Sequence, residues 1–542
     1  MTWLVRQRAQ WGQASVEKML GALPVVAAFC SRLRIRELVD AACPVRDVAG
    51  LTHGQVIEVL VANRLTSPAP LVHVQEWART WAVGEAFGVD PESLNDDRIG
   101  RALDAIAPHL DHLAGSVGLA AIEAFGIDVG RLHWDLTSIS LQGDYEQAEP
   151  GFATPKFGHP KDRRPDLKQI QAGLAVSSDG AVPVFHRAYD GGAGEVSQVI
   201  GAMQALQRLA GPQPMLMIGD SKLISYANLA AMTTDGVTFI APASKTYVKA
   251  EVLARQRLDQ AQAVDYVAAR DAGKDADRRG TWHVAEDTMT LAGPRTKDPI
   301  LTLRRIFVHS SARAQAAATA RAKKLQRARD DLARLERGLG GRHYPSEQAV
   351  ADRVTAIGRA RRVSTCLTAV TGTDPATGKP TLTWNFDQNA IDAEAATDGW
   401  YALLTNLAPD TADAGHLLRH YKGQEAVERR HQAFKGPLAV THLYLKNNRR
   451  INALITVICL ALLIFCLIER QVRHALTAQD KTKVNGLYAG RPAVPTGKLI
   501  LDALAGIRLI PGTGQSPPTI PQPTDLQLHL LDLLNIDPRD LR

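Results

Sequence analysis

One stretch constrains this chain more than any other: "INALITVICLALLIFCLI", residues 451–468, runs for 18 residues without a charge. Two structures satisfy such a run, a membrane span of near-minimal length or a helix buried on every side in a large domain. Arg449 and Arg450 precede it, Glu469 and Arg470 follow it, and Asn452 and Thr456 dilute its first turns. No second run of that length occurs in the 542 residues, so a buried helix and no membrane association are expected. A chain this long can enclose one, and divides into about two to four domains.

The 63 Lys and Arg against 56 Asp and Glu leave a net charge of +7, mild overall but locally concentrated. Between 421 and 450 stand Lys422, Arg429, Arg430, Lys435, Lys446, Arg449 and Arg450, opposed only by Glu425 and Glu428. Such a patch suits a polyanion, although a solvated basic face is an equally ordinary reading. Five cysteines without a CxxC pair argue against a disulfide framework or a zinc site and fit a reducing cytoplasm. The start, "MTWLVRQRAQWGQ", lacks the apolar core of a signal peptide, so a cytoplasmic location is expected.

Patterning predicts five segments. Residues 1–125 alternate helical patterns with breaks, and Ser93 or Asn95 is placed to cap the helix "RIGRALDAIAPHLDHL". Residues 126–245 begin with β-branched, alternating sequence; "QAGLAVSSDGAVPVFHRAYDG" reads as two strands around a Ser-Asp-Gly turn, and "PMLMIGDSKLIS" as a strand buried on both faces. Residues 246–397 interrupt this pattern with the strand candidates "WHVAEDTMTLAG" and "LTLRRIFVHS" and a charged helix whose Leu325, Leu332 and Leu339 repeat every seven residues. A strand returns at "DGWYALLTNL" within residues 398–475, followed by a helix for which Thr411 or Asp413 is the cap. Residues 476–542 read as a Pro-rich, exposed tail with one short helix.

Three carboxylates need explaining. Asp135 interrupts an apolar and hydroxyl-rich strand, Asp220 stands where a buried strand gives out, and Glu428 lies in "YKGQEAVERRHQAFK", residues 421–435. Read as one helix, that stretch aligns Tyr421, Gln424, Glu428 and Lys435 in a narrow polar stripe, with Val427, Phe434 and Leu438 free to pack on a sheet. Each acid has a simpler reading: a backbone-bonded Asp, a helix-capping Asp, a Glu paired with a neighbouring Arg. Converging, they would make a site for Mg²⁺, a hard ion that takes few protein carboxylates.

The order and context of these residues resemble the DDE transposases of bacterial insertion sequences. In that likeness an Asp on an early strand, an Asp ending a later buried strand and a Glu on a helix beyond an insertion form the catalytic set. "YKGQEAVERRHQAFK" is similar to the family signature Tyr-x2-Arg-x3-Glu-x6-Lys at Tyr421, Glu428 and Lys435, and departs from it at Gln424, where the pattern has Arg. "GHPKDRRPDLKQIQAGLAV" and "DGWYALLTNL" also resemble segments of the longer members. The likeness, over roughly residues 90–475, implies an α/β ribonuclease-H-like mixed sheet flanked by helices, an α+β insertion and an all-helical N-terminal domain that binds DNA ends.

It further implies Asp135, Asp220 and Glu428 as catalytic residues holding two Mg²⁺ ions, with Mn²⁺ as a substitute. Tyr421, Gln424, Arg429 and Lys435 would be DNA contacts, Arg429 offsetting the charge that Gln424 lacks. The expected partners are terminal inverted repeats and target DNA, bound by a homodimer or larger assembly. A metal nuclease of the same fold without strand transfer, and a catalytically inactive DNA-binding or membrane-anchored protein, are the alternatives. Trp282 is read first as a core residue and second as a base-stacking one.

Overall fold

Caps decide where the N-terminal helices start and stop. In the computed structural model, which describes residues 17–46, 50–145, 148–161, 163–211, 213–438, 445–512 and 517–540, Asn95 caps the helix Asp96–Ile106 by accepting from the Arg98 amide at 2.8 Å. Pro108 and a 3-10 turn then separate it from Leu110–Phe125, which ends on Gly126 in the left-handed region. His53–Thr66 begins with a reciprocal capping box between Thr52 and Gln55. Further on, Asp413 accepts from the His416 amide at 2.8 Å ahead of the helix Ala414–Lys422. In both places where the sequence offered two caps, the structure uses the one nearer the helix.

The chain is mixed α/β and divides into two compact units: Met1–Lys222, Thr234–Val237 and Gly423–Arg542 form the first, Leu223–Thr233 and Thr238–Lys422 the second. The helical N-terminal residues thus share a unit with the strands that follow, and the expected insertion, 246–397, lies inside the second.

In the first unit, Arg131–Leu141, Lys168–Ser177 and Pro183–Asp190 form an antiparallel meander whose last turn contains Asp179 and Gly180. Gly180 has φ 76, a conformation that costs glycine little. The helix Glu195–Ala210 then carries the chain to Leu216–Gly219, which pairs parallel to Arg131–Leu141. A parallel neighbour needs such a crossover.

The 30-residue helix Asn448–Thr477 is the axis of this unit, and the most apolar 18 residues of it are entirely buried. It touches His53–Thr66, Asp96–Ile106, Pro183–Asp190 and Asp525–Leu534, so it needs apolar side chains all round. The tail is more ordered than its composition suggests. It adds the hairpin Val484–Tyr488/Arg491–Ala493 and the helix Gly497–Leu504 before Asp525–Leu534, whose Leu530, Leu531 and Leu534 are buried. An exposed linker is therefore the wrong description for most of it; part of the Pro-rich stretch, 513–516, lies outside the described residues.

The second unit orders its strands as Thr238–Pro242, Trp400–Thr405, Leu301–Ser310, Trp282–Leu291 and Gln262–Val264, each antiparallel to the next. The charged helix Ser311–Arg337 folds against Glu347–Arg361 through Leu325, Leu332, Val350 and Ile357, a helical hairpin arm. Trp282 is 5% exposed with Tyr266 edge-on to it at 5.5 Å, which makes it a core residue.

Candidate active site

The parallel strand pair sets the geometry. Its register matches Arg131 with Leu216 and runs to Trp134 with Gly219, so the next residues along are Asp135 and Asp220. Adjacent parallel strands lie about 4.8 Å apart and side chains in register project to one face, so the two carboxyls are neighbours. Burial raises both acids above the usual carboxylate range, and the charge of Asp135 raises Asp220 further. Two half-buried acids that repel one another favour a cation between them.

Lysine supplies part of that charge. The Lys161 Nζ lies 3.1 Å from Asp135 Oδ1 and also donates to the Leu136 carbonyl. The Leu136 amide donates to Asp135 Oδ1 at 2.9 Å, and the Lys222 amide to Asp220 Oδ1, also at 2.9 Å. Glu195, half-buried at the start of its helix, is raised by burial and by the charges of Asp220 and Asp135, against the opposing pull of Lys161. It is a third acid in this neighbourhood that sequence reasoning missed, because a Glu in a first helical turn is ordinary.

The helix Glu425–Lys435 brings the remaining groups. His431 Nδ1 stands 3.4 Å from Asp135 Oδ2, and burial, aided by Lys161 and Lys435, pushes its pKa down to about 3, so the imidazole is neutral. Lys435 is near enough for its charge to act on both Asp135 and His431. Glu428 precedes His431 by three residues, about 60° around the helix, and its side chain is exposed. Among the described residues no three His, Cys, Asp or Glu side chains are grouped to hold a metal ion. The structure therefore brings Asp135 and Asp220 together and leaves Glu428 on an adjoining face, outside a ready-made ligand set.

The continuous stripe expected across residues 421–435 is not formed. Gly423 and Gln424 break the stretch into the helices Ala414–Lys422 and Glu425–Lys435, and the boundary between the two units falls at the same place. Tyr421 belongs to the second unit, where its ring lies 6.4 Å from that of Tyr401. Gln424 is held by the first core strand: its Oε1 is 3.0 Å from His133 Nδ1 and its Nε2 donates to the Trp134 carbonyl at 3.3 Å. The His133 Nε2 in turn sits 3.0 Å from Ser178 Oγ. The amide thus meets both a ring nitrogen and a backbone carbonyl of the first core strand. Arg429 is exposed, and its charge acts on Arg473.

Arg430, read in the sequence only as one member of a basic patch, is buried and proves to be the residue that fixes this helix. It donates to the carbonyls of Gly180 and Ala181 at 2.9 and 2.8 Å and, bidentately, to Glu469 at 3.0 and 3.1 Å. Glu469 also takes Arg473 and the Gly497 amide. Val427, Phe434 and Leu438 are buried beneath it. The helix beside Asp135 is thus bolted to the core helix by a fully satisfied buried ion pair.

Residues 15–112 match a family described as a domain of unknown function, DUF4277. No curated protein matches the chain. Among solved structures, the piggyBac transposase synaptic complex with hairpin DNA aligns at 9% identity and a TM-score of 0.36, over 89% of this chain and 79% of that one. The Mos1 transposase paired-end complex with left transposon end aligns at 12% identity and a TM-score of 0.14, over 40% of this chain and 76% of that one. Neither likeness reaches the level of a shared fold.

Proposed function

We propose that the chain is a DNA transposase whose Asp135, Asp220 and Glu428 work on phosphodiester bonds with Mg²⁺, on a ribonuclease-H-like core. The observation that carries the reading is the in-register placement of two half-buried, mutually repelling carboxyls beside a helix whose His431 and Lys435 act on Asp135. Hard oxygen donors with a local excess of negative charge are the donor set Mg²⁺ takes, and Asp135 and Asp220 would hold it, joined by Glu428. When bound, it supplies activation of an attacking hydroxyl and charge stabilisation at the leaving oxygen. The reading requires Glu428 to turn toward the strand pair and Lys161 to leave Asp135. Lys161 and Lys435 are then placed to meet phosphate oxygens, and neutral His431 orients Asp135 without competing for charge. DNA ends and target DNA are the proposed partners, with a dimer or larger assembly pairing two ends.

The test is incubation of the purified full chain with supercoiled plasmid carrying the DNA that flanks its gene, with Mg²⁺ or Mn²⁺. Metal-dependent cleavage followed by joined products, both lost in Asp135→Asn and Asp220→Asn, is expected. Nicks without joined products would reduce the function to a nuclease. Cleavage that persists in both variants would overturn the assignment of these acids.

A further inference from the structure

Four arginines of the described residues are buried, and three have a carboxylate: Arg304 with Glu286, Arg430 with Glu469, Arg470 with Asp179. Arg64 is the fourth. It is 6% exposed, in the last turn of His53–Thr66, and its side chain forms no ion pair or hydrogen bond among the described residues. Burial pushes its pKa down to about 10, with no neighbouring charge to oppose this. An arginine this deeply buried normally keeps an anion beside it, and the Arg64 nitrogens reach solvent only through the surface they leave open. The carbonyl end of its own helix is a partial answer, since it attracts a cation within the last turn, but no carbonyl bonds this one.

Arg64 lines a cavity of about 380 Å³ within the first unit. Arg450 closes one side, tied to Asp104 at 2.7 and 2.9 Å and pressed against Gly100, where a Cβ would come within 2.8 Å of its Nη1. Lys446 stands at the rim without an ion pair, and Asp96 is the single acid in the lining. With Arg450 neutralised by Asp104, the cavity keeps two cations against one carboxylate. Its other wall is apolar, formed by Pro70, Leu71 and Val72, the last 65% exposed.

We propose that this cavity binds a nucleotide, its phosphate on Arg64 and Lys446 and its base or sugar against Leu71 and Val72. A guanidinium and an ammonium lining one cavity match phosphate oxygens, and the volume exceeds what inorganic phosphate alone would fill. The nucleotide is either one unit of a DNA strand or a free mononucleotide, and the chemistry of recognition is the same. The site is separate from the carboxylate pair and does not depend on the catalytic reading.

The experiment measures binding of dAMP, adenosine, inorganic phosphate and a fluorescent single-stranded oligonucleotide to the full chain in EDTA. Phosphate-bearing nucleotide should bind, and Arg64→Met should weaken it about ten- to a hundredfold, as loss of a charge-assisted hydrogen bond does. Val72→Trp, a change at an exposed rim position, should block the same ligand without touching Arg64. Binding of dAMP assigns a free nucleotide, and binding of the oligonucleotide alone assigns a strand. Inorganic phosphate binding as well as either, or adenosine binding as well as dAMP, overturns the proposal. So does an Arg64→Met protein that melts lower than wild type while binding unchanged, since Arg64 would then be structural.

Discussion

Replacing Arg430 by Met removes a guanidinium but keeps an unbranched apolar chain in its place. The side chain makes four hydrogen bonds, two to Glu469 and one each to the carbonyls of Gly180 and Ala181. Breaking one partner of a buried ion pair costs about 3–5 kcal/mol. Glu469 keeps Arg473 at 2.8 Å and the Gly497 amide at 3.0 Å, which places the expected loss near the lower end, about 3 kcal/mol. Because the two units need not unfold together, amide hydrogen exchange along Asn448–Thr477 is the assay, as it reports the opening energy of this unit alone. The double variant Arg430→Met, Glu469→Met should recover little of the loss, since it also takes the carboxylate from Arg473 and the acceptor from the Gly497 amide. A change below about 0.5 kcal/mol in the single variant would refute the idea that this pair anchors the helix. The same pair sets a pH dependence. Burial tends to raise Glu469, but the Arg430 bonds and the Arg430 and Arg473 charges overrule it and hold the carboxyl below its usual value. Its contribution is therefore present above the unfolded carboxyl pKa and disappears as pH falls through the lower folded value.

Asp135→Asn and Asp220→Asn should each lower metal-dependent cleavage on the order of a thousandfold in a single-turnover assay while duplex affinity changes little; comparable loss of both would point to unfolding instead. Gln424→Ala should cost about 1 kcal/mol in hydrogen exchange of the first core strand, since His133 loses its amide partner. Gln424→Arg, although it restores the Arg of the signature that this stretch resembles, should not raise cleavage, because position 424 is engaged with His133 and the Trp134 carbonyl of the core strand. Fully buried His186 has its pKa pushed down to about 4, so the unfolded state binds its proton first as pH falls from about 6.5. Stability should rise with pH between about 4 and 6.5, and His186→Phe should flatten that part of the curve in pH-dependent denaturation.

The strands, the helical arm and the buried axis were legible because periodicity and length are local properties. The 18 uncharged residues at 451–468 announce a helix buried all round, and Ser178-Asp179-Gly180 announces a hairpin turn. The register that sets Asp135 beside Asp220 was not legible, since 85 residues and a crossover helix separate them and strand pairing is decided by packing. The break at Gly423 was concealed by a stripe that a straight helix would satisfy, and Gly423 carries too little propensity cost to be a reliable stop. Arg430 and Arg64 look alike in sequence, as basic residues near helix ends. Both are buried, and only the presence or absence of a carboxylate partner in the structure tells them apart.

Anomalous scattering from crystals of the full chain with DNA and Mn²⁺ tests the central claim most directly. The account predicts a peak between the Asp135 and Asp220 carboxyls at metal–oxygen distance, with the Lys161 ammonium displaced and the Glu428 side chain turned toward it. Strong peaks elsewhere with none at this pair, while Lys161 still holds Asp135, would contradict it.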